Sequence, residues 1–135
     1  MLITRETDYA LRILRTLQND KQLTAAEIAK EEQIPQQFAY KILKKLKTGH
    51  LVNIYRGITG GYALAVDLRK VSLYDLIEIV DGGEKLAHCM QQGYQCQWRQ
   101  ARGNATCKAH INLLHIQQEF VKTMQGYNLY DILFK

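Results

Sequence analysis

A chain of 135 residues, 47% hydrophobic and 23% charged, is long enough to bury a core and too apolar to be disordered. No apolar run approaches the length of a membrane span, and the opening MLITRETDYA lacks the apolar centre of a secretory signal, so a cytoplasmic location is expected. The formal net charge of +5 admits an anionic partner.

That charge is unevenly placed. Residues 1–66 carry ten Lys or Arg against six Asp or Glu, and residues 67–135 carry eight against seven. Positions 33–66 hold no acid at all, yet Lys41, Lys44, Lys45, Lys47 and Arg56 fall among them. A basic stretch confined to one part of a chain is the electrostatic footprint of a nucleic-acid face. A merely solvated surface would mix the two signs throughout.

In chain order, Tyr9, Ala10, Ile13, Leu14 and Leu17 fall at helical spacing and predict a first helix over 6–18, with Thr4 or Thr7 as its cap. Asn19-Asp20 breaks it. Thr24 and Glu27 form a capping box for a second helix reaching Glu32, with Ile28 and Ala29 turned inward. Pro35 suits the first position of a third helix, over 36–47. That helix is expected to bury Phe38, Ile42, Leu43 and Leu46 and to expose Gln36, Gln37, Tyr40, Lys41, Lys44 and Lys45, with Gly49 as its stop. Leu51 to Tyr55 reads as a strand, Gly57 to Gly61 as a hairpin tip, and Tyr62 to Val66 as the return strand. The order describes a mainly α fold: a winged helix-turn-helix with a two-stranded wing, occupying residues 1–70.

Residues 71–135 read as a second unit. Ser72 and Asp75 cap a helix running through Ile77, Ile79 and Val80 to Gly82-Gly83. Periodicity is lost over 84–107, a loop with at most short helical turns. It returns over 109–125, where Ile111, Leu113, Leu114, Phe120, Val121 and Met124 mark the longest helix. So small a domain offers little core for that stripe, and its expected partner is a second copy of the chain. Asn128-Leu-Tyr-Asp131 echoes Ser72-Leu-Tyr-Asp75 and reads as a similar cap.

The third helix and the hairpin carry chemistry suited to DNA. Gln36 and Gln37 match the donor–acceptor pattern of adenine in the major groove. Lys41, Lys44 and Lys45 can reach phosphates, giving affinity and salt sensitivity rather than sequence choice. Tyr40 can donate to phosphate or pack on a thymine methyl. Gly57, Gly60 and Gly61 permit a tight hairpin and a close backbone approach to a duplex, though an ordinary turn would use them too. No nucleophile–base motif or phosphate loop supports an enzyme, and the Gly57 to Gly61 segment lacks the helix that a dinucleotide site needs.

The three cysteines are the second constellation: Cys89-x6-Cys96-x10-Cys107-x2-His110. An odd number in a reducing compartment argues against structural disulfides and for ligation or redox sensing. Thiolates are soft ligands for iron–sulfur clusters or zinc, but a zinc site lacks its usual tight Cys-x2-Cys pair. Free redox-active thiols are the alternative.

Motifs spread over nearly the whole length resemble the IscR/NsrR/CymR family of bacterial transcription regulators, the Rrf-two type. They are Leu2-Ile-Thr with Asp8-Tyr9-Ala10-Leu11-Arg12, then Glu27-Ile28-Ala29, Lys44-Lys45-Leu46 and Gly49-His50-Leu51-Val52. Most specific is the wing signature Arg56-Gly57 with Gly60-Gly61-Tyr62-Ala63-Leu64, completed by Leu73-Tyr-Asp75-Leu-Ile and the late cysteines. The resemblance implies a homodimeric DNA-binding regulator of repressor type, with two winged heads and a long helix from each subunit crossing at the interface. It implies that Arg56 enters a minor groove. It also implies that the cysteines hold an iron–sulfur cluster, two-iron or four-iron, with the fourth ligand His110 or a carboxylate, Asp8, from the other subunit.

Two departures stand beside it. Tyr40 occupies a position that often carries Glu in the family, so base preference does not transfer. An insert with Arg99 and Arg102 spreads the last two cysteines, so two of the three can ligate with His110, Asp8 or Glu6 supplying the rest, which would favour a two-iron cluster. The rivals are a cluster-free regulator controlled by thiol oxidation or a partner protein, and a zinc- or partner-binding adaptor.

Overall fold

Which threonine caps the first helix is decided by the one that stays near the surface. The computed structural model describes residues 3–83 and 85–135. Leu2, in the opening of the family resemblance, and Glu84, the first residue of the expected sensor loop, lie outside the described residues, as does Met1. Thr4 caps α1 (Arg5–Thr16), its hydroxyl accepting from the Thr7 amide at 3.2 Å. Thr7 is fully buried and its hydroxyl donates to Asp81 at 2.5 Å. Asn19 and Asp20 then adopt φ of 66° and 57°, left-handed conformations that these two residue types tolerate.

The capping box of Thr24 and Glu27 forms as expected at the start of α2 (Ala25–Glu32), which ends on a left-handed Gln33. Pro35 sits at the cap of α3 (Gln36–Thr48), one position before the first helical residue. The buried face of α3 is Ala39, Ile42, Leu43 and Leu46. Phe38, expected in the core, is 43% exposed and packs edge-to-face with Tyr9, ring centres 5.9 Å apart. The reason is angular. Positions 39, 42, 43 and 46 complete the i, i+3, i+4, i+7 stripe, and the place against the rest of the core goes to the small Ala39.

The hairpin is β1 (Val52–Tyr55) antiparallel to β2 (Gly61–Leu64), in register from Val52↔Leu64 to Tyr55↔Gly61. Leu23 adds a bridge to Tyr62, its amide donating at 3.0 Å and its carbonyl accepting at 2.7 Å. The wing is thereby stitched to the connection between α1 and α2.

A 3-10 turn (Leu68–Lys70) leads to α4 (Leu73–Asp81), with its Ser72–Asp75 capping box and a left-handed Gly82 as its stop. The loop beyond contains a 3-10 turn at His88–Met90 and the single helical turn α5 (Gln97–Gln100). Then come α6 (Lys108–Gln125) and α7 (Leu129–Phe134). Asn128 caps α7 as Ser72 caps α4, and the two cap residues face each other in an antiparallel bridge. One hydrophobic core joins α1 to α4 with Leu51, Val52, Leu68, Val71 and Leu129. No residue of α6 is buried. Among the described residues no helix is long and apolar enough to cross a membrane.

Candidate nucleic-acid interface and cysteine pocket

The outer face of α3 presents Gln36, Gln37, Tyr40, Lys41 and Lys44 to solvent, while Lys45 is half-buried. The helix interior repeats every 3.6 residues, so the apolar stripe that fixes α3 against the core also fixes which residues point away. Two of its lysines are not free. Glu6 of α1 takes Lys41 Nζ on Oε1 at 2.5 Å and Lys45 Nζ on Oε2 at 2.6 Å. Lys45 also donates to the Val80 carbonyl at 2.8 Å, tying α3 to the end of α4. Hydrogen bonding from Lys41, then from Lys45, holds the Glu6 carboxyl below its ordinary range. Lys44 makes no ion pair among the described residues and stands exposed.

Beside this face, Arg56 and Ile58 are exposed at the tip of the wing. The glycines there answer to the protein's own backbone. A Cβ on Gly60 would lie 2.5 Å from the Tyr55 carbonyl, and one on Gly61, at φ +152°, would lie 2.8 Å from the Leu23 carbonyl. Gly57, at φ +102°, meets nothing but needs its left-handed conformation. The Gln22 amide donates to the Thr59 carbonyl and fixes the tip further.

The cysteine loop folds into one pocket. Cys89, Cys96, Cys107 and His110 line a cavity of about 430 Å³, with Tyr94, Arg99 and Leu113 also in its wall. All three cysteines are half-buried and unbridged. Each is positioned by a short element: Cys89 lies in the 3-10 turn, Cys96 precedes α5, and Cys107 caps α6 by accepting from the His110 amide at 3.5 Å. The His110 ring reaches back, Nδ1 lying 3.3 Å from Cys89 Sγ. Arg99 is occupied, donating to the carbonyls of Ala105 and Asn104 at 3.0 and 3.4 Å, so it braces the loop. Arg102 stacks on Trp98, 4.4 Å from the ring centre.

Asp8 is not in this pocket. It lies on the first turn of α1, paired with Arg12 at 3.1 Å, and Glu6 is engaged with its two lysines. Among the described residues no three acids, histidines or cysteines converge as a single metal ion requires. A cluster spreads its ligands over more than one iron, so the donor set fits it in chemistry: three soft sulfurs and an imidazole around one cavity. It does not fit a ready-made tetrahedral zinc site.

Sequence reasoning missed two exposed apolar residues on the candidate interface, Phe38 and Ile58. Phe38 was betrayed only by the better fit of Ala39 to the stripe. Ile58, wholly exposed, was marked by its place inside a glycine-rich tip, where a large apolar side chain has no core to enter.

Comparison with known proteins bears on this arrangement. The sequence profile of the Rrf2 family, described as "Iron-dependent Transcriptional regulator", matches residues 3–135. A relative from Aquifex aeolicus (strain VF5), carrying the name of an HTH-type transcriptional regulator, is 24% identical over 135 residues, covering 98% of this chain and 92% of its own. Among solved structures, CymR of B. subtilis, described as the global cysteine regulator, superposes with a TM-score of 0.69 at 17% identity, covering 97% of this chain and 95% of CymR. IscR of T. potens gives 0.70 at 15% identity, covering 96% of this chain and 84% of IscR. At such identities the structures speak for the winged-helix fold alone. The profile match, running almost end to end, places the chain in the Rrf2 family of transcriptional regulators.

Proposed function

We propose that the chain is a cytoplasmic, homodimeric DNA-binding repressor that senses through an iron–sulfur cluster held in the cysteine pocket. Residues 1–70 form the reading unit and 71–135 the sensing and dimerising unit. On DNA, Gln36, Gln37 and Tyr40 face base edges in the major groove, and Lys44, with Lys41 and Lys45, meets phosphate. Arg56 enters the adjacent minor groove, where narrow A·T tracts concentrate negative potential. Gly57, Gly60 and Gly61 give the wing the shape to deliver it.

One observation supports the sensing half: cysteines spaced unevenly along the loop line a single cavity together with His110. Cys89, Cys96 and Cys107 would hold the cluster, with His110 or Asp8 of the partner subunit completing the set. A bound cluster supplies reversible one-electron and ligand chemistry that responds to oxidants, nitric oxide or iron supply. The protein's part is to bring the loop, α6 and α4 into one arrangement when the pocket is filled. A shift of a few kcal/mol between two dimer arrangements suffices to regulate DNA binding.

The test is visible absorbance of anaerobically purified protein with iron and sulfide counts, repeated on Cys89→Ser, Cys96→Ser and Cys107→Ser. Iron that falls in all three variants supports the cluster. Colourless, iron-free protein after anaerobic reconstitution defeats it and leaves the DNA reading standing.

A second reading has its own observation. His110 Nδ1 lies 3.3 Å from Cys89 Sγ, and Cys96 and Cys107 line the same cavity, so a thiol oxidised there has others in the same pocket to pair with. CymR, which shares the fold, is described as a cysteine regulator. Diamide-sensitive DNA binding by metal-free protein, lost in Cys89→Ser, would favour this cluster-free form.

A further inference from the structure

Positions 33–66 contain no acid, so nothing within the reading segment itself can neutralise its lysines. The counter-charge comes from outside it. Glu6 projects from the first turn of α1 and offers one oxygen to Lys41, at 2.5 Å, and the other to Lys45, at 2.6 Å. A carboxylate gripping two ammonium groups occupies them as a DNA phosphate would.

The two lysines are not equivalent. Lys45, 34% exposed, has a second acceptor in the Val80 carbonyl at 2.8 Å. That bond holds it between α3 and α4 whether or not Glu6 is charged, so a phosphate it meets is met alike in wild type and Glu6→Gln. Lys41 is 54% exposed and has Glu6 as its one partner among the described residues. Its neighbour Lys44, on the same outer face, is unpaired among the described residues. Lys41 is therefore the lysine able to exchange partners, and Glu6 the group it must leave.

We propose that Glu6 is an intramolecular competitor for DNA phosphate, holding Lys41 in reserve so that the reader approaches the duplex with less than its full charge. The proposal rests on the reading of α3 and the wing as the DNA-contacting face. Its physical content is a contest between two anions for one ammonium group. Each phosphate neutralised by a lysine releases counterions, so the slope of log K against log salt deepens by about 0.9 per contact made. An acid that claims the lysine first makes that contact weaker and the slope shallower. Glu6 is a positioning residue in this account, since it acts only through Lys41.

The experiment is a salt titration of DNA affinity, on intact protein and one operator-containing duplex, for wild type and Glu6→Gln. The amide keeps the shape and one accepting oxygen but removes the charge and the second acceptor. The expected result is tighter binding at low salt, with the advantage over wild type shrinking about 3.5-fold between 50 and 200 mM salt, the value set by one added phosphate contact. In a Lys41→Gln background the substitution should leave the slope unchanged. A purely structural Glu6 would weaken binding equally at every salt concentration, and parallel slopes for wild type and Glu6→Gln would overturn the proposal. Retention of the steepening in Lys41→Gln would overturn it too. Lys44→Ala and Arg56→Ala separate this failure from that of the DNA reading. If both weaken binding while Glu6→Gln leaves the slope untouched, only the Glu6 proposal is lost. If both are silent, the DNA-contacting face is misassigned and the proposal falls with it.

Discussion

Asp81, the last residue of α4, takes hydrogen bonds from Thr4 at 3.0 and 2.8 Å and from Thr7 at 2.5 Å, so one carboxylate joins the start of the chain to the edge of the cysteine loop. Thr7 has no exposure to solvent. Asp81→Ala therefore strands a buried hydroxyl, and urea denaturation should show a loss of about 1–3 kcal/mol. Adding Thr7→Val should return part of it, because an apolar pair leaves nothing unsatisfied. Glu6 gives a prediction in pH. Its folded-state pKa lies below the ordinary 4.5, chiefly through the Lys41 hydrogen bond and then that of Lys45. A depressed carboxyl contributes stability that is present above the unfolded value and is lost as pH falls through the folded one. The stability gap between wild type and Glu6→Gln should thus be largest near neutrality and close below about pH 4.5. Its size should not exceed about 1 kcal/mol, since the pair is partly solvated. Neither contact was legible in the sequence. Lys45 belongs to a basic helix face by spacing, and only the packing of α4 against α3 reveals the Val80 carbonyl beside it.

At the scale of elements, what the sequence displayed best was what is decided within four residues. The Thr24–Glu27 and Ser72–Asp75 boxes and the Asn128–Asp131 cap each form between a side chain and a backbone amide three positions on, and such bonds need no tertiary context. The wing was legible as a hairpin but not as a hairpin leaning on another segment. Gly61 was expected to allow a close approach to a duplex, and the approach it permits within the chain is to the Leu23 backbone, with the Leu23–Tyr62 bridge beside it. Gly61→Ala both crowds the Leu23 carbonyl, which would lie 2.8 Å from the new Cβ, and places an alanine at a strained φ of +152°. Its expected cost is about 1–3 kcal/mol in global stability. It should also weaken DNA binding more than stability alone explains, because the wing loses its anchor to the α1–α2 connection. Circular dichroism and a salt-matched binding isotherm on the same preparation separate the two effects. The cysteine pocket lay beyond sequence reasoning in a different way. Gaps of six and ten residues do not say that three sulfurs share one cavity; that follows from the His88–Met90 turn packing on α6 and from Cys107 serving as the α6 cap.

The whole molecule is shaped around a helix that its own core does not use. α6, about 27 Å long at 1.5 Å per residue, half-buries only His110, Gln117, Val121 and Met124 against the rest of the chain. Successive residues turn 100° about the axis, so Leu113, Ile116 and Phe120 flank that face on one side and Ile111 and Leu114 on the other. All five are exposed. Solvating two apolar flanks along the longest helix forfeits burial worth about 25 cal/mol per Å². Set against a second copy, the same side chains would leave water and form the apolar centre of an interface. We expect the protein to be a dimer in solution and Leu114→Glu/Phe120→Glu to be a folded monomer, as sedimentation and helicity measured together will report. Since no residue of α6 is buried within the chain, these substitutions should leave the monomer's core and its thermal unfolding cooperativity intact. Their effect on DNA should be large, because two reading heads tethered at fixed spacing bind a palindrome with an avidity of about 10²- to 10⁴-fold over one head. On a single half-site the variant and wild type should bind alike; on the full palindrome only wild type should gain. A variant that stays dimeric would move the interface off α6, and with it the route by which the cysteine pocket at the start of that helix could set the spacing of the heads.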